Sequence, residues 1–504
     1  MNVPSILAID QGTTGTTVLV VGADGTTRGR ATREFPQHFP APGWVEHDPE
    51  DIWQSVTAAT RDAMVSAGVS RGDVAAIGIT NQRETTLLWN RETGQPIRSA
   101  IVWQDRRTAS LCERLRSAGH EPRVRRVTGL VLDPYFAGTK LSWMLKEEPG
   151  RARQAERGQL AFGTVDSYLV WRLAGGVRHR APHVTDVTNA SRTLLMDLRQ
   201  RRWDPGMCAL LGVPAGVLPQ IVPSAGTVAT TRGLAELSDG IPICGLLGDQ
   251  HAALFGQGCF DRGDAKCTYG TGAFVLVNTG TEPLASAGGL LSTVAWQIGD
   301  EPVYALEGSA FVAGAAVQWL RDGLGLFERA ADVEALARRV DSTDGVVFVP
   351  ALAGLGAPHW DPDARGLICG ITRGTTAAHL ARATLEAIAL EVNDLLSTME
   401  GDLGTAVTRL RVDGGAAAND LLLQLQADLS AVAVERPAEL ESTARGAAML
   451  AAVGAGLARF PEDVVRTTAA QRTFVAETGE VERQSRIDIW HDAVRRARGA
   501  KAPG

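Results

Sequence analysis

Two acids stand where chemistry can use them. Asp10 ends a short apolar run, and Gln11-Gly12-Thr13-Thr14-Gly15-Thr16-Thr17 follows before a second apolar run begins at Val18. This layout predicts a β-hairpin whose turn carries chemistry. Gly12 and Gly15 permit positive φ and close backbone approach. The turn N–H groups and the hydroxyls of Thr13, Thr14 and Thr16 would then form a concave donor surface for phosphate oxygens. Asp10 is placed to hold a metal ion, directly or through water. Mg²⁺ suits that position, because it keeps several waters and takes only one or two carboxylates. Asp249 follows the apolar run 241–247 and Gly248. An acid directly after a buried strand is poorly explained by packing. It suits a general base or a metal-linked carboxylate.

The hairpin layout returns in the second half of the chain. Residues 265–277 read as strand, Gly270-Thr271-Gly272 turn, strand. A third stretch, Leu410-Arg411-Val412-Asp413-Gly414-Gly415, is a short strand entering a Gly-Gly turn, and a helix is expected from Asn419. None of the three is a P-loop, because no G-x-x-x-x-G-K-[S/T] pattern occurs. Arg83 and Glu84 follow the apolar stretch 74–80, and ligands in open α/β sheets bind beyond the carboxyl ends of strands. An adjacent Arg and Glu offers donors and acceptors together, which suits a polyol; the alternative is a surface ion pair. Trp103 offers a flat apolar wall or a core ring. Tyr135, after Pro134, offers a hydroxyl or a half-buried packing surface.

The elements that must position these residues are legible in outline. A chain of 504 residues exceeds one core, so two or more domains are expected. Apolar content of 44% with 21% charge is that of an ordinary soluble protein, and a net charge of −7 argues against nucleic acid as a main partner. No apolar run approaches the ~20 residues that span a bilayer, so no stable membrane insertion is expected. The N-terminus has no basic segment before its first strand, so no signal peptide is expected. Six scattered cysteines without a C-x-x-C pair fit reduced thiols in the cytoplasm. Strands are expected over 26–34, 74–80, 241–247 and 431–434. Asp48-Pro49-Glu50-Asp51 predicts a helix start with Asp48 as cap and Gly68 as stop. Further helices are expected over 252–258, 308–319, 377–399, 419–429 and 444–453. The last ~40 residues are polar and partly helical, and Arg495, Arg496 and Arg498 fit a solvated face. The division between two halves is placed at 252/253, giving domains 1–252 and 253–504.

The two phosphate-type hairpins and the later Gly-Gly turn resemble the ATPase fold shared by sugar kinases, actin and Hsp70. The stretches Asp10-Gln11-Gly12-Thr13-Thr14, Pro42-Gly43-Trp44-Val45-Glu46-His47-Asp48-Pro49, Asn81-Gln82-Arg83-Glu84-Thr85, Gly248-Asp249-Gln250, Thr268-Tyr269-Gly270-Thr271-Gly272 and Val412-Asp413-Gly414-Gly415 resemble the FGGY carbohydrate kinase family, in particular its glycerol-phosphorylating members. The resemblance covers essentially the whole chain. It implies an α/β protein of two RNase H-like lobes with an interlobe cleft, which phosphorylates glycerol to sn-glycerol 3-phosphate using ATP and Mg²⁺. It places Arg83, Glu84, Tyr135, Asp249 and Gln250 on glycerol, with Trp103 and Phe274 against its carbon backbone. It makes Asp249 the base. It puts Thr13, Thr14, Gly15 and Thr17 at the phosphates, and Thr271, Gly314, Gln318, Gly415 and Asn419 at the nucleotide. Asp10 and Asp249 fall in the metal region. A homodimer or homotetramer is implied as well.

Two departures from the family pattern bear on these expectations. Many members carry a basic residue where this chain has Thr17, so γ-phosphate stabilisation is expected to be weaker unless another donor compensates. Residues 224–240 lack the paired-glycine and basic pattern linked to fructose bisphosphate inhibition, and contain no histidine for phospho-histidine activation. Two alternatives remain at this level. One is a kinase for a related polyol or ketose. The other is an actin- or Hsp70-like ATPase with protein partners, which would need an extra binding domain.

Overall fold

Alternation and capping account for the first elements. In the computed structural model, which describes residues 4–22, 24–439, 441–465 and 468–499, β1 (Ser5–Gln11) and β2 (Gly15–Gly22) form the expected hairpin, with Asp10 opposite Thr17. β3 (Thr27–Glu34) extends it on the far side. Helix α1 (Pro49–Ala67) starts on Asp48, whose carboxylate accepts from the Glu50 N–H at 2.8 Å, and stops at Gly68 with φ 65°. It buries Ile52, Val56, Ala59 and Ala63 against the sheet. β4 (Val74–Asn81) pairs parallel with β1. β5 (Ala225–Thr230) and β6 (Pro242–Gly248) follow, and β6 lies parallel to β4. Helix α2 (Asp249–Gly256) begins directly at Asp249, three residues earlier than the sequence implies.

The second half builds the same pattern. β7 (Asp264–Tyr269) and β8 (Ala273–Gly280) form the second hairpin. β9 (Leu291–Ile298) and β10 (Glu301–Ala310) add antiparallel strands beside β8. The strand over 301–310 takes the first part of the 308–319 stretch expected to be helical. Helix α3 (Gly314–Asp322) begins only after it. Its small residues are explained by a close approach to the β7–β8 turn, not by an earlier helix start. The long helix α4 (Ala377–Leu403) precedes β11 (Arg409–Asp413), α5 (Asp420–Ser430) and β12 (Ala433–Pro437). That strand begins two residues later than expected, because Ala431 takes the left-handed cap of α5 with φ 56°. Helix α6 (Ser442–Gly454) and β13 (Ala470–Phe474) follow, and a final helix spans Glu480–Gly499.

Among the described residues one sheet of thirteen strands runs in the order β13-β12-β11-β7-β8-β10-β9-β5-β6-β4-β1-β2-β3. The order is one connectivity used twice. In the N-terminal lobe a meander β3-β2-β1 continues into parallel β4 and β6. In the C-terminal lobe β10-β8-β7 continues into parallel β11 and β12. The two halves of this sheet join through the pair of Ala225 with Ile298, beside which the Ser224 N–H donates to the Gln297 carbonyl at 2.9 Å. Each lobe has its own apolar core, one around β1, β4, β6 and α1, the other around β7, β8, α4 and α5. Helices α2 and α6 cross between the lobes almost backbone to backbone. A Cβ at Gly446 would lie 1.9 Å from the Ala252 carbonyl, and one at Gly256 would lie 2.1 Å from that of Ser442. The carboxyl ends of β1, β4 and β6 therefore face those of β7 and β11 across a cleft. Among the described residues no helix is long and apolar enough to cross a membrane.

Candidate active site

The first turn is closed by Gly12, whose N–H donates to the Gly15 carbonyl at 2.9 Å. Neither glycine takes positive φ. Their role is close approach, because a Cβ on Gly15 would sit 2.9 Å from the Arg33 carbonyl. Thr13 and Thr14 lie on the turn. The Thr13 hydroxyl accepts from the Trp103 indole N–H at 2.8 Å. Thr16 does not join them: it is buried and bonds Ser55 at 2.7 Å, pinning α1 to the hairpin. Thr17 pairs with the Thr32 hydroxyl at 3.0 Å.

In the C-terminal lobe, the Gly270 N–H donates to the Gly272 carbonyl at 2.9 Å. The start of α3 sits on this turn, since the Gly314 and Ala315 N–H groups donate to the carbonyls of Gly270 and Thr271, each at 3.0 Å. A Cβ on Gly314 would stand 2.6 Å from the Gly270 carbonyl, and one on Gly272 would stand 2.5 Å from that of Ala310. Gly415, by contrast, faces open space within 4 Å. Asn419 caps α5 through its Oδ1, 2.9 Å from the Leu422 N–H. Gln318 is exposed on the first turns of α3.

The polar end of the cleft holds a buried quartet of charges. Arg83 reaches Glu307 through both terminal nitrogens, one at 2.9 Å, and reaches the Tyr135 hydroxyl at 3.3 Å. Arg192 bonds Glu84 at 2.6 Å and Glu307 at 3.0 Å. All four charged side chains are at most 1% exposed. Two positive and two negative charges balance, which such burial requires. Burial acts to raise the Glu307 carboxyl, yet Arg192 and Arg83 hold it well below the ordinary carboxylate range. Glu84 is pushed up by burial, partly offset by the same arginines. Glu84 also takes φ 60°, a left-handed conformation that costs a non-glycine residue energy and clusters at functional sites.

Asp249 lies beside this quartet. Arg83 Nε approaches its Oδ1 to 3.1 Å, off the hydrogen-bond direction, so that the buried Nε–H has no hydrogen-bond partner among the described residues. Burial raises the Asp249 carboxyl, with Arg83 opposing. Gln250 Oε1 accepts from the Lys266 ammonium, which also bonds Thr268 at 2.9 Å. Trp103 packs edge to face on Tyr135 at 5.7 Å and on Phe274 at 6.4 Å, giving one apolar wall from both lobes. Asp10 is half-buried at the end of β1. Its carboxyl is raised well above normal by burial, then by the negative charges of Asp249, Glu441 and Asp413. No cluster of three metal-ligating side chains occurs among the described residues.

Two family models match this chain. The N-terminal domain of the FGGY family of carbohydrate kinases covers residues 5–256, and its C-terminal domain covers 265–455. The chain belongs to the FGGY family of carbohydrate kinases. A glycerol kinase of Myxococcus xanthus is 56% identical over 98% of this chain and 99% of its own length. One of Alkalilimnicola ehrlichii is 56% identical over 98% of each. Among solved structures, Plasmodium falciparum glycerol kinase with ADP superposes with a TM-score of 0.91 at 33% identity, covering 98% of both chains. The fold is thus the two-lobed α/β ATPase fold of sugar kinases.

Within this FGGY cleft the two lobes bring the sequence-predicted residues together as two groups. Arg83, Glu84, Trp103, Tyr135, Asp249, Gln250 and Phe274 share the polar and aromatic end. Thr271 and Gly314 are joined by the second hairpin and the start of α3. Gly415 and Asn419 flank the turn before α5. Four charged residues at the cleft escaped the sequence reading of the site: Arg192, Lys266, Glu307 and Asp413. Lys266 and Glu307 are charges inside buried strands, between Ala265 and Cys267 and between Leu306 and Gly308. That local signal could have found them. Arg192, in Ser191-Arg192-Thr193, carries no such mark.

Proposed function

We propose that this enzyme transfers the γ-phosphoryl group of ATP to a terminal hydroxyl of glycerol, giving sn-glycerol 3-phosphate and ADP. The observation that carries the reading is the buried quartet beside Asp249 and the aromatic wall. It offers a small polyol donors from Arg83, acceptors from Glu84 and Asp249, and an apolar face from Trp103 and Phe274. The Arg83 Nε–H, without a hydrogen-bond partner among the described residues, supports an oxygen ligand beside Arg83 and Asp249. A site built to hydrogen-bond hydroxyls rejects analogues that lack them.

The donor set fits Mg-ATP. Asp10 and Asp249 repel each other across the cleft, a negative charge that a divalent cation relieves. Such an ion needs only one or two carboxylates beside phosphate oxygens. When bound, Mg²⁺ neutralises charge on the transferring phosphoryl group. Thr13, Thr14 and Gly15 would hold the phosphates, with Thr17 beside them. Thr271, Gly314, Gln318, Gly415 and Asn419 would hold the nucleotide, in a cradle where Gly415 leaves open space. Asp249 orients the acceptor hydroxyl and takes its proton as the bond to phosphorus forms. Gln250, fixed by Lys266, and Tyr135, fixed by Arg83, position the remaining hydroxyls. Besides Arg83, Lys266 is the cation whose charge reaches Asp249.

We divide the lobes at 252/253 and place the enzyme in the cytoplasm as a homodimer or homotetramer. Six free cysteines, five of them buried, support a reducing compartment, and the family resemblance supports self-association. The test is ADP release from ATP and Mg²⁺ with and without glycerol, beside a panel of xylulose and gluconate. Strong glycerol dependence with sn-glycerol 3-phosphate as product is the expected result. ADP release indifferent to glycerol, or faster turnover of another acceptor, would overturn the assignment.

A further inference from the structure

A second cavity, of about 250 Å³, opens between the lobes away from the active site. One wall is the helix Glu121–Thr128 with the Leu198-Arg199 turn of the N-terminal lobe. The other is the 283–292 segment that leads into β9. No active-site residue lines it. Three guanidinium groups, of Arg125, Arg126 and Arg199, stand around it. Arg126 makes no ion pair among the described residues. Arg125 has a 3.4 Å contact with Glu121 one turn away, and Arg199 a 3.7 Å contact with Glu282 where both are well exposed. Exposed pairs of this kind are weak and exchange readily for a better anion.

The lining is apolar below the arginines, with Leu198 and Leu290 each 4% exposed. At the lining lies Ser292, 3% exposed, whose hydroxyl has no hydrogen-bond partner among the described residues. A buried polar group left unpaired is costly, and a ligand oxygen would satisfy it. The frame is fixed, because the Ser292 N–H donates to the Gly129 carbonyl at 2.9 Å and ties the two walls together.

We propose that this cavity is a second small-molecule site, for an organic phosphomonoester with a short apolar body. Planar guanidinium forks match phosphate oxygens bidentately. The apolar floor takes the carbon body, and the Ser292 hydroxyl takes a further oxygen. Because its walls belong to different lobes, the occupied site favours one interlobe arrangement and so couples to the cleft.

The test is titration calorimetry on the full-length enzyme with phenyl phosphate, in the presence of saturating glycerol and ADP. One saturable site is expected. Arg126→Glu with Arg199→Glu should weaken binding by about tenfold or more while leaving glycerol-dependent turnover without phenyl phosphate unchanged. Ser292→Ala should weaken it less. Inorganic phosphate should bind about tenfold more weakly, for want of the apolar body. Absence of saturable binding, its loss when glycerol and ADP are added, equal binding by the charge-reversed variant, or equal affinity for inorganic phosphate would each overturn the proposal.

Discussion

Glu307→Gln tests the buried quartet most directly. The native carboxylate accepts three bonds, two from Arg83 and one from Arg192, with no solvent to replace any of them. Glutamine keeps the shape but has one accepting oxygen. Its amide nitrogen would point donors at a guanidinium nitrogen, so at least one contact turns repulsive. The variant also leaves two buried arginines against Glu84 and Asp249 alone. Breaking a buried pair by removing one partner costs about 3–5 kcal/mol. A charge-assisted bond contributes about 1.5–3 kcal/mol, and Arg83 is the group Glu307 holds in place. If glycerol loses that one contact, its KM should rise by about 10- to 150-fold, since 1.4 kcal/mol is tenfold. The KM for ATP should stay within about twofold, because among the described residues the Glu307 carboxylate is bonded by Arg83 and Arg192 and by none of the proposed nucleotide-binding residues. Steady-state kinetics with each substrate varied, beside urea unfolding, read both effects. The double variant Glu307→Gln with Arg192→Met removes one charge of each sign and should recover part of the lost stability, by coupling of about 1–3 kcal/mol. A single variant with unchanged urea midpoint and unchanged glycerol KM would refute the claim that the quartet orders Arg83.

The other predictions separate the parts of the site. Asp249→Asn should leave the fold intact and abolish transfer; near-normal kcat in a quenched assay would remove Asp249 as base. Gly415→Ala fits the empty protein without contact, so its Tm should be unchanged while the KM for ATP rises; a drop in Tm would mean that Gly415 serves the fold. Lys266→Met frees Gln250 and should raise the glycerol KM about tenfold with little effect on ATP; equal rises would make Lys266 a fold element. Stability should fall as pH drops from 6.5 toward 4. Burial first, then neighbouring positive charge, lowers His47 and His183 to about 4 in the folded protein, while the unfolded chain takes up protons from 6.5. Their stabilisation is therefore complete above 6.5 and lost across that window. His183→Gln should flatten the dependence of the urea midpoint on pH.

Local signals carried the hairpins, the capped helix from Asp48 and the parallel strands, because each is decided by residues close in sequence. Where local and tertiary terms compete, the sequence misleads. Residues 308–310 look like a helix start, but they pair with β8, Phe274 opposite Ser309, and the small residues serve backbone contact with the β7–β8 turn. The helix at Asp249 starts early because the acid itself opens it at the end of β6. By residue type Thr16 belongs with Thr13 and Thr14 on the turn, yet strand alternation turns it inward to Ser55. One register position separates a donor at the cleft from a core hydroxyl, and composition cannot tell them apart.

The charge network explains what remained hidden. Arg83 and Glu84 are adjacent, and adjacency reads as a surface pair or a polyol clamp. Neither reading needs a partner elsewhere, but the burial of both does. Their counter-charges come from Arg192, 108 residues beyond Glu84, and from Glu307, 224 residues beyond Arg83. Glu307 also lies in the other lobe, so the carboxylate that holds Arg83 arrives only when the lobes meet. The polar and aromatic end of the cleft is therefore an interlobe structure and not a property of the N-terminal lobe. A change that loosens the contact between the sheets at Ala225 and Ile298 should act on Arg83 through Glu307, although it touches neither.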